Sequence, residues 1–200
     1  RSFGNLSWTL LIAGGIFAEV APNAAHRAIA ELGALGRLEC VITQNIDNLH
    51  QRAGTDPGKV YELHGSMRWI RCLSCGRRTS LEEIRERYGA EDSPPACERC
   101  GGVMKPDVIF FGEALPEKIL EEAMRHAHRC DLLIVVGSSL VVFPAAGIPF
   151  AAQQAGAKLV IVNLSPTPAD SIADVVISAP AAAALPRIVA EVKRGLSRCA

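Results

Sequence analysis

The chain has 200 residues, of which 49% are hydrophobic and 5% aromatic, and its 21 basic and 21 acidic side chains cancel. This length is enough for one sizeable core, or for one core with a small additional module. The basic residues are scattered and the aromatic residues are few, which argues against nucleic acid as a direct partner. No apolar run is long enough to span a bilayer, so a membrane is not expected as a partner either. The default prediction is a cytoplasmic globular enzyme.

An apolar segment covers residues 8–21, close to the start of the sequence. It could be mistaken for the core of a secretion signal, but Glu19 interrupts it near its end. A buried helix or strand is the preferred interpretation, and so short a run does not distinguish between the two.

Downstream of Pro22-Asn23, apolar strand-like runs alternate with amphipathic segments. Helices are predicted over residues 24–35, 116–128, 145–155 and 185–196, and apolar runs occur at 40–42, 60–63, 108–111, 132–136, 159–162 and 175–177. Strands rich in Val, Ile and Leu that alternate with helices are typical of a parallel sheet covered on both faces. The sequence therefore predicts an α/β fold.

Residues 66–107 differ from this background, because cysteines, arginines and turn signals replace the aliphatic residues. Only residues 80–88 are predicted to be helical, with Ser80 as the N-cap and Glu83 completing a capping box. Such a segment has too little core to fold without help. It is predicted to be an inserted module.

Four of the seven cysteines form two CxxC pairs, Cys72 with Cys75 and Cys97 with Cys100. An odd total with this paired spacing favours a metal site in a reducing compartment over a disulfide framework. Zinc is the first choice, since four thiolates leave no open position for catalysis and the role is then structural. A bound iron, an iron–sulfur cluster and four unligated cysteines are the alternatives.

Polar or glycine-containing turns follow three of the predicted strands, at residues 43–45, 137–139 and 163–165. In a parallel sheet these turns emerge at one edge, where small residues let backbone amides approach a ribose or a phosphate. His64 follows a fourth apolar run and adds an ionisable group. Plain turns, a buried structural imidazole and a helix N-cap role for Asp47 remain the alternatives at this point.

Six motifs occur in order along the chain: TQNIDNLHQRAG, ELHG, the two CxxC pairs, KPDVIFFGEALP, GSSLVVFPAAGIP and VIVNLSPTPAD. Together they resemble the sirtuin family of NAD-dependent protein lysine deacylases, over about residues 20–190. The resemblance implies a Rossmann-like domain, residues 1–65 and 107–200, and a small zinc-ribbon module, residues 66–106. It also implies one structural zinc ion, and an acylated-lysine peptide bound between the two domains.

The resemblance further implies roles for individual residues. His64 is expected to be the general base acting on the nicotinamide ribose, and Asn45 is expected to take part in catalysis. The residues expected to bind the cofactor are Gln44, Asn45, Ile46, Asp47, Gly137, Ser138, Ser139, Asn163, Leu164, Ser165 and Ala181. Those expected to pair with the substrate peptide are Ile109, Phe111, Gly112 and Glu113. The expected zinc ligands are Cys72, Cys75, Cys97 and Cys100.

For the reaction, the resemblance implies transfer of an acyl group from lysine to ADP-ribose with release of nicotinamide. NAD is then a co-substrate, and the zinc ion takes no part. The acyl oxygen is a poor nucleophile, so it must be held against the anomeric carbon while nicotinamide leaves. A ribose hydroxyl must also lose a proton, and histidine titrates in the range that this step requires.

One family motif is not recognised in this sequence. Sirtuins begin with a strand and a glycine-rich cofactor loop of the form GAGxSxxSGIPxFR, of which residues 13–16 are only a faint echo. We expect that the sequence is a truncated version of a longer protein, and a naturally shortened homologue is the alternative. Activity of the chain itself is therefore open, and so are two other functions. These are an impaired module that binds ADP-ribose or acyl-lysine peptide, and a protein ADP-ribosyltransferase.

Overall fold

The computed structural model describes residues 20–88, 95–110 and 112–198. The chain divides into two compact units. The larger unit comprises Pro22–Gln44, Leu49–Leu63 and Leu115–Ala200, and the smaller unit includes Asn45–Asn48 and His64–Ala114. Most of the apolar N-terminal segment, residues 8–19, lies outside the described residues.

Helices and strands alternate along most of the described chain. Helices α1 to α6 span Ala24–Ala34, Leu49–Arg52, Leu81–Tyr88, Glu117–Arg129, Ile148–Gln154 and Ala181–Arg198. Strands β1 to β8 span Val41–Thr43, Val60–Glu62, Gly65–Cys72, Arg78–Ser80, Met104–Val108, Leu132–Val136, Lys158–Val162 and Val175–Ile177.

The described strands of the larger unit pair in parallel. β1 pairs with β2, and β6, β7 and β8 form a second sheet in that order. In this second sheet Leu132 lies opposite Lys158, and Val160 lies opposite Val175. Parallel strands joined through helices are the architecture that the apolar runs indicated, so the α/β prediction is confirmed.

The central strand β7 is covered on both faces. Leu159 and Ile161 are fully buried, and they pack with Val135, Ala146 and the α5 residue Phe150. Successive side chains of a strand point to opposite faces. Accordingly, Val162 is buried in a different cluster, formed with residues of α1 and α6. Helices therefore lie on both faces of the parallel sheet, as predicted.

Helix α1 begins and ends where its sequence indicates. The side chain of Asn23 accepts hydrogen bonds from the backbone N–H groups of Ala25 and His26, and the His26 ring accepts one from the Asn23 N–H. These bonds satisfy amides that have no partner within the helix. Gly36 follows the C-cap residue with a φ of +66°, a conformation that glycine adopts without strain.

The smaller unit contains an antiparallel sheet of order β4-β3-β5 and helix α3. Its core cluster consists of Ile70, Cys72, Ile84, Cys97 and Met104. Two of these five residues are predicted zinc ligands, so little apolar surface is left to stabilise the unit without a metal.

The sequence predicted the helix of the smaller unit but not strands β3 and β4, and its apolar run at residues 108–111 overlaps β5 only at Val108. The hydroxyl of Ser80 accepts a hydrogen bond of 3.1 Å from the Glu83 N–H, which confirms the predicted N-cap. The strands are harder to recognise because β3 carries exposed arginines and β5 contains Pro106. Proline and scattered charges obscure the alternation that marks a half-buried strand.

The apolar run noted at residues 108–111 begins at the last residue of β5, which ends at Val108. A turn follows, in which the Glu113 N–H donates to the Phe110 carbonyl oxygen at 3.0 Å. Gly112 makes this turn possible with a φ of +88°.

Candidate active site and metal centre

The strand ends of the larger unit carry predicted cofactor-binding residues. Gln44 directly follows β1, Gly137 follows β6 and Asn163 follows β7. The Gln44 side-chain amide donates a hydrogen bond of 3.4 Å to the hydroxyl of Ser138. This contact brings the carboxyl ends of β1 and β6 together, although the two strands belong to different sheets.

The turn after β6 exposes backbone to solvent. Gly137 has a φ of +60°, and a Cβ at this position would meet no atom within 4 Å. The hydroxyl of Ser138 accepts a hydrogen bond of 3.2 Å from the Leu140 N–H, which fixes the turn. Ser139 is exposed beside it. Small residues with open space above them allow a ligand to reach backbone amides.

The turn after β7 is also closed by its own polar groups. The Asn163 side chain donates a hydrogen bond of 2.7 Å to the carbonyl oxygen of Ser165. Leu164, between them, is 70% exposed. Ala181 is the first residue of α6, and the positive end of a helix favours phosphate.

A dinucleotide fits the chemistry of these turns. Glycine and serine suit ribose and phosphate, and an exposed leucine offers an apolar surface to a base. The larger unit could hold the ribose, phosphate and base groups of NAD through residues predicted from the sequence: Gln44, Gly137, Ser138, Ser139, Asn163, Leu164, Ser165 and Ala181.

The smaller unit holds four further predicted residues, Asn45, Ile46, Asp47 and His64. The Ile46 carbonyl oxygen accepts a hydrogen bond of 3.0 Å from the Met67 N–H. The His64 carbonyl oxygen accepts one of 2.9 Å from the Ile109 N–H. The main chain of the predicted base is therefore bonded to the first residue of the segment that is predicted to bind the peptide.

Gly65, directly after His64, received no role from the sequence. Its φ is +76°, and a Cβ here would lie 2.1 Å from the carbonyl oxygen of Asp107. Gly65 faces Val108 across the β3–β5 ladder, so only glycine allows this close approach. In the sequence, the only sign of this close backbone approach is that a glycine directly follows the candidate base.

Three residues of the predicted peptide-binding segment are described, namely Ile109, Gly112 and Glu113, and Phe111 lies outside the described residues. The carboxylate of Glu113 accepts a hydrogen bond of 3.1 Å from the Phe110 N–H. It also accepts two from the Lys105 ammonium group, at 2.6 and 2.7 Å. Lys105 and the Phe110 amide lower the pKa of the Glu113 carboxyl group. Lys105 was not among the residues predicted from the sequence.

The four predicted zinc ligands lie together in the smaller unit. Their sulfur atoms are all within 4.8 Å of one another. The sulfurs of Cys72 and Cys100 are 3.5 Å apart, and those of Cys75 and Cys97 are 3.7 Å apart. Zn–S bonds of ~2.3 Å in a tetrahedron require sulfur separations of ~3.8 Å. The donor set and its spacing therefore fit zinc.

Backbone amides favour thiolate at one of these cysteines. N–H groups of Cys75 and Ser74 contact the sulfur of Cys72 and lower the pKa of that thiol to about 6. At Cys100 the Gly102 N–H has the same effect, but hydrogen bonds with the thiols of Cys75 and Cys72 outweigh it and raise the pKa to about 12. Zinc binds thiolates, so an ion would replace the protons shared among these sulfurs.

Comparison with known families agrees with the motifs and the geometry. A model of the Sir2 family matches residues 5–144, more than half of the chain. The chain belongs to the sirtuin (Sir2) family.

This sirtuin has curated relatives in archaea. It is 52% identical over 180 residues to NAD-dependent protein deacylase 2 of Archaeoglobus fulgidus, across 90% of this chain and 69% of the relative. It is 48% identical over 175 residues to NAD-dependent protein deacylase 2 of Pyrobaculum aerophilum, across 88% of this chain and 68% of the relative. The sirtuin chain thus spans about two thirds of the length of these relatives.

Solved structures show the same fold. The sirtuin aligns with a "Sir2 homologue S24A mutant-ADP ribose complex" at a TM-score of 0.87 and 39% identity, over 96% of this chain and 76% of that one. It aligns with "Structure of Sir2Tm bound to a propionylated peptide" at a TM-score of 0.83 and 41% identity, over 92% of this chain and 78% of that one. The predicted Rossmann-like α/β class is therefore confirmed for the sirtuin.

A second feature of the sirtuin was missed by sequence reasoning. Val141, Val142 and Phe143 follow the turn at Ser138 and are 63%, 40% and 73% exposed. Consecutive apolar residues on a surface often mark a place where a ligand binds.

None of the helices among the described residues is both long and apolar enough to cross a membrane.

Proposed function

We propose that this sirtuin removes acyl groups from protein lysines, transfers them to ADP-ribose and releases nicotinamide from NAD. One observation carries the proposal: a chain 52% identical to an NAD-dependent protein deacylase has polar and glycine residues at the turns predicted to bind the cofactor. Bound NAD supplies the electrophilic anomeric carbon and the nicotinamide leaving group.

The chain's own residues supply binding, orientation and proton transfer. We assign the nicotinamide and its ribose to Gln44, Asn45, Ile46 and Asp47. Gln44 and Asn45 offer amide groups and Asp47 a carboxylate, whereas Ile46 offers an apolar side chain. His64 acts as the general base that accepts the proton of a ribose hydroxyl. Asn45 orients the groups that react, which lowers the entropic cost of the reaction.

The acylated-lysine substrate binds as an extended strand. Its backbone pairs with the segment that contains Ile109, Phe111, Gly112 and Glu113, in the manner of strand addition to a sheet edge.

The zinc ion stabilises the smaller unit and stays outside the reaction. Four cysteine ligands complete a tetrahedron, so no position is left for substrate. Four thiolates in one site also support the cytoplasmic location that we propose, since reducing compartments keep such cysteines unpaired. Acyl-lysine protein is the proposed partner, and no direct contact with nucleic acid or membrane is proposed.

Product analysis tests this function. The chain is mixed with adenine-labelled NAD and an acetyl-lysine peptide, and products are separated by mass spectrometry. We expect free nicotinamide, deacetylated peptide and labelled O-acetyl-ADP-ribose. Label retained on protein would favour ADP-ribosyl transfer instead, and binding of ADP-ribose without nicotinamide release would favour a non-catalytic module.

A further inference from the structure

Lys105 connects the sheet of the smaller unit to the turn that follows it. It lies on β5, opposite Arg71 on β3. Its ammonium group contacts both carboxylate oxygens of Glu113, at 2.6 and 2.7 Å, and lies 4.9 Å from the centre of the Phe110 ring. The Lys105 side chain is only 23% exposed.

Glu113 in turn holds Phe110 through two hydrogen bonds that run in opposite directions. Its carboxylate accepts from the Phe110 N–H at 3.1 Å, and its own N–H donates to the Phe110 carbonyl oxygen at 3.0 Å. The neighbouring residue Ile109 is bonded to the His64 carbonyl oxygen. Contacts within the smaller unit therefore hold the chain just before the turn, at Ile109, and at the end of the turn, at Glu113.

We propose that Lys105 is a positioning residue for the acyl-lysine peptide. By holding Glu113 and Phe110, it keeps the backbone of the peptide-binding segment in the conformation that pairs with the substrate strand. The inference rests on the proposed deacylase function and identifies a residue that acts through another, without touching the reacting atoms.

The physical basis is preorganisation. Strand pairing needs backbone N–H and C=O groups that already point toward the peptide, and ordering them at the moment of binding lowers affinity. An ion pair between exposed side chains contributes little. Here the lysine is mostly covered, both carboxylate oxygens are engaged and an aromatic ring lies close to the ammonium group, so the contact holds the turn more firmly.

The test compares Lys105→Met with Lys158→Met, a matched control. Lys158 also pairs with a carboxylate, that of Asp174 at 2.7 Å, but it belongs to the larger unit. Calorimetry gives the Kd of an acetyl-lysine peptide with flanking residues, and steady-state kinetics give KM for peptide and for NAD. Lys105→Met should raise the Kd and the peptide KM about three- to tenfold, the effect of losing an ordinary hydrogen bond, because Lys105 acts on the peptide only through Glu113 and Phe110. The NAD KM should stay unchanged. Lys158→Met should change neither the Kd nor the peptide KM.

A minimal substrate separates positioning from general damage. Acetyl-lysine with blocked termini has no flanking backbone to pair, so Lys105→Met should turn it over as the unaltered chain does. Lys105→Arg, which retains the charge, should restore peptide binding. Equal loss on peptide and minimal substrate, or an unchanged peptide KM in an active chain, would overturn the inference. If the unaltered chain neither binds peptide nor releases nicotinamide, it is the deacylase function that fails.

Discussion

Gly65 shows how a single residue can fix the position of a candidate catalytic group. It is the first residue of β3, directly after His64, and it lies against the backbone of Asp107 and Val108. The same approach allows the Ile109 N–H to reach the His64 carbonyl oxygen. The location of the imidazole therefore depends on a position that has no side chain.

We predict that Gly65→Ala destabilises the chain by about 2–4 kcal/mol, because it adds both backbone strain and overlap with Asp107. Gly36→Ala is the matched control, since Gly36 also has a positive φ of +66° but a Cβ there would meet no atom within 4 Å. The control should cost about 1 kcal/mol. Urea unfolding followed by circular dichroism measures both changes. Equal losses for the two variants would show that the close approach contributes nothing.

The residues of the site differ in how far sequence could predict them. Cys72 and its partners follow from spacing alone, and the structure brings all four sulfurs together. The role of His64 came from resemblance to a family, and it stays a prediction. Lys105 could not be found, because its contact with Glu113 spans a strand end and a turn that no local pattern encodes.

At the scale of elements, each of the two CxxC turns contributes one buried cysteine, Cys72 or Cys97, to the core of the smaller unit. Gly76 and Gly101 have φ values of +72° and +70°, which let each turn fold back on its cysteines. The Gly76 N–H donates a hydrogen bond to the backbone carbonyl oxygen of Cys72, and the Gly101 N–H donates one to that of Cys97. The turns are thus shaped to present sulfur, and the metal supplies the folding free energy that a small apolar core does not.

We predict that Cys75→Ser abolishes zinc binding and unfolds the smaller unit, because the ion loses one of four ligands. A strong chelator should have the same effect on the unaltered chain. Cys130→Ser is the control, since Cys130 is half-buried in the larger unit and donates to the Ala127 carbonyl oxygen. Elemental analysis should find about one zinc per control chain. Stoichiometric zinc in the Cys75→Ser variant would contradict the assignment.

A carboxylate adds side-chain contacts to the pairing between β7 and the start of β8. Asp174 accepts hydrogen bonds from the Lys158 ammonium group at 2.7 Å and from the Leu159 N–H at 2.9 Å. Both interactions, the lysine first, lower the pKa of the Asp174 carboxyl group below its usual value. A carboxylate with a lowered folded-state pKa stabilises the fold above its unfolded-state pKa, and this contribution disappears as pH falls through the folded value.

Asp174→Asn should therefore be less stable than the unaltered chain at neutral pH. The difference should shrink as the pH falls below ~4, the unfolded-state value for aspartate, because the native carboxylate is then increasingly protonated too. Urea midpoints measured across a pH series test this. A difference that stays constant down to the acid limit would mean that the charge of Asp174 is not responsible.

At the scale of the whole molecule, the larger unit was predictable because its strands are nearly continuous runs of aliphatic residues. β6 and β7 fall close to the predicted residues, and Leu159 and Ile161 are fully buried as such runs require. The strands of the smaller unit were less predictable, since Arg68, Arg71 and Pro106 interrupt their apolar pattern. Cysteines also take the place of aliphatic residues in its core. The predicted boundaries of the zinc module, residues 66–106, stay a prediction.

The central claim is that this sirtuin is an NAD-dependent deacylase with His64 as its base. The most direct measurement is the rate of deacetylated peptide formation by His64→Ala, with His128→Ala as the control. His128 lies exposed on α4, where its ring contacts the Met124 carbonyl oxygen. We predict that His64→Ala lowers the rate at least ~100-fold, the usual contribution of a general base, whereas His128→Ala leaves it unchanged. A His64→Ala variant that deacetylates the peptide as fast as the unaltered chain would contradict the account.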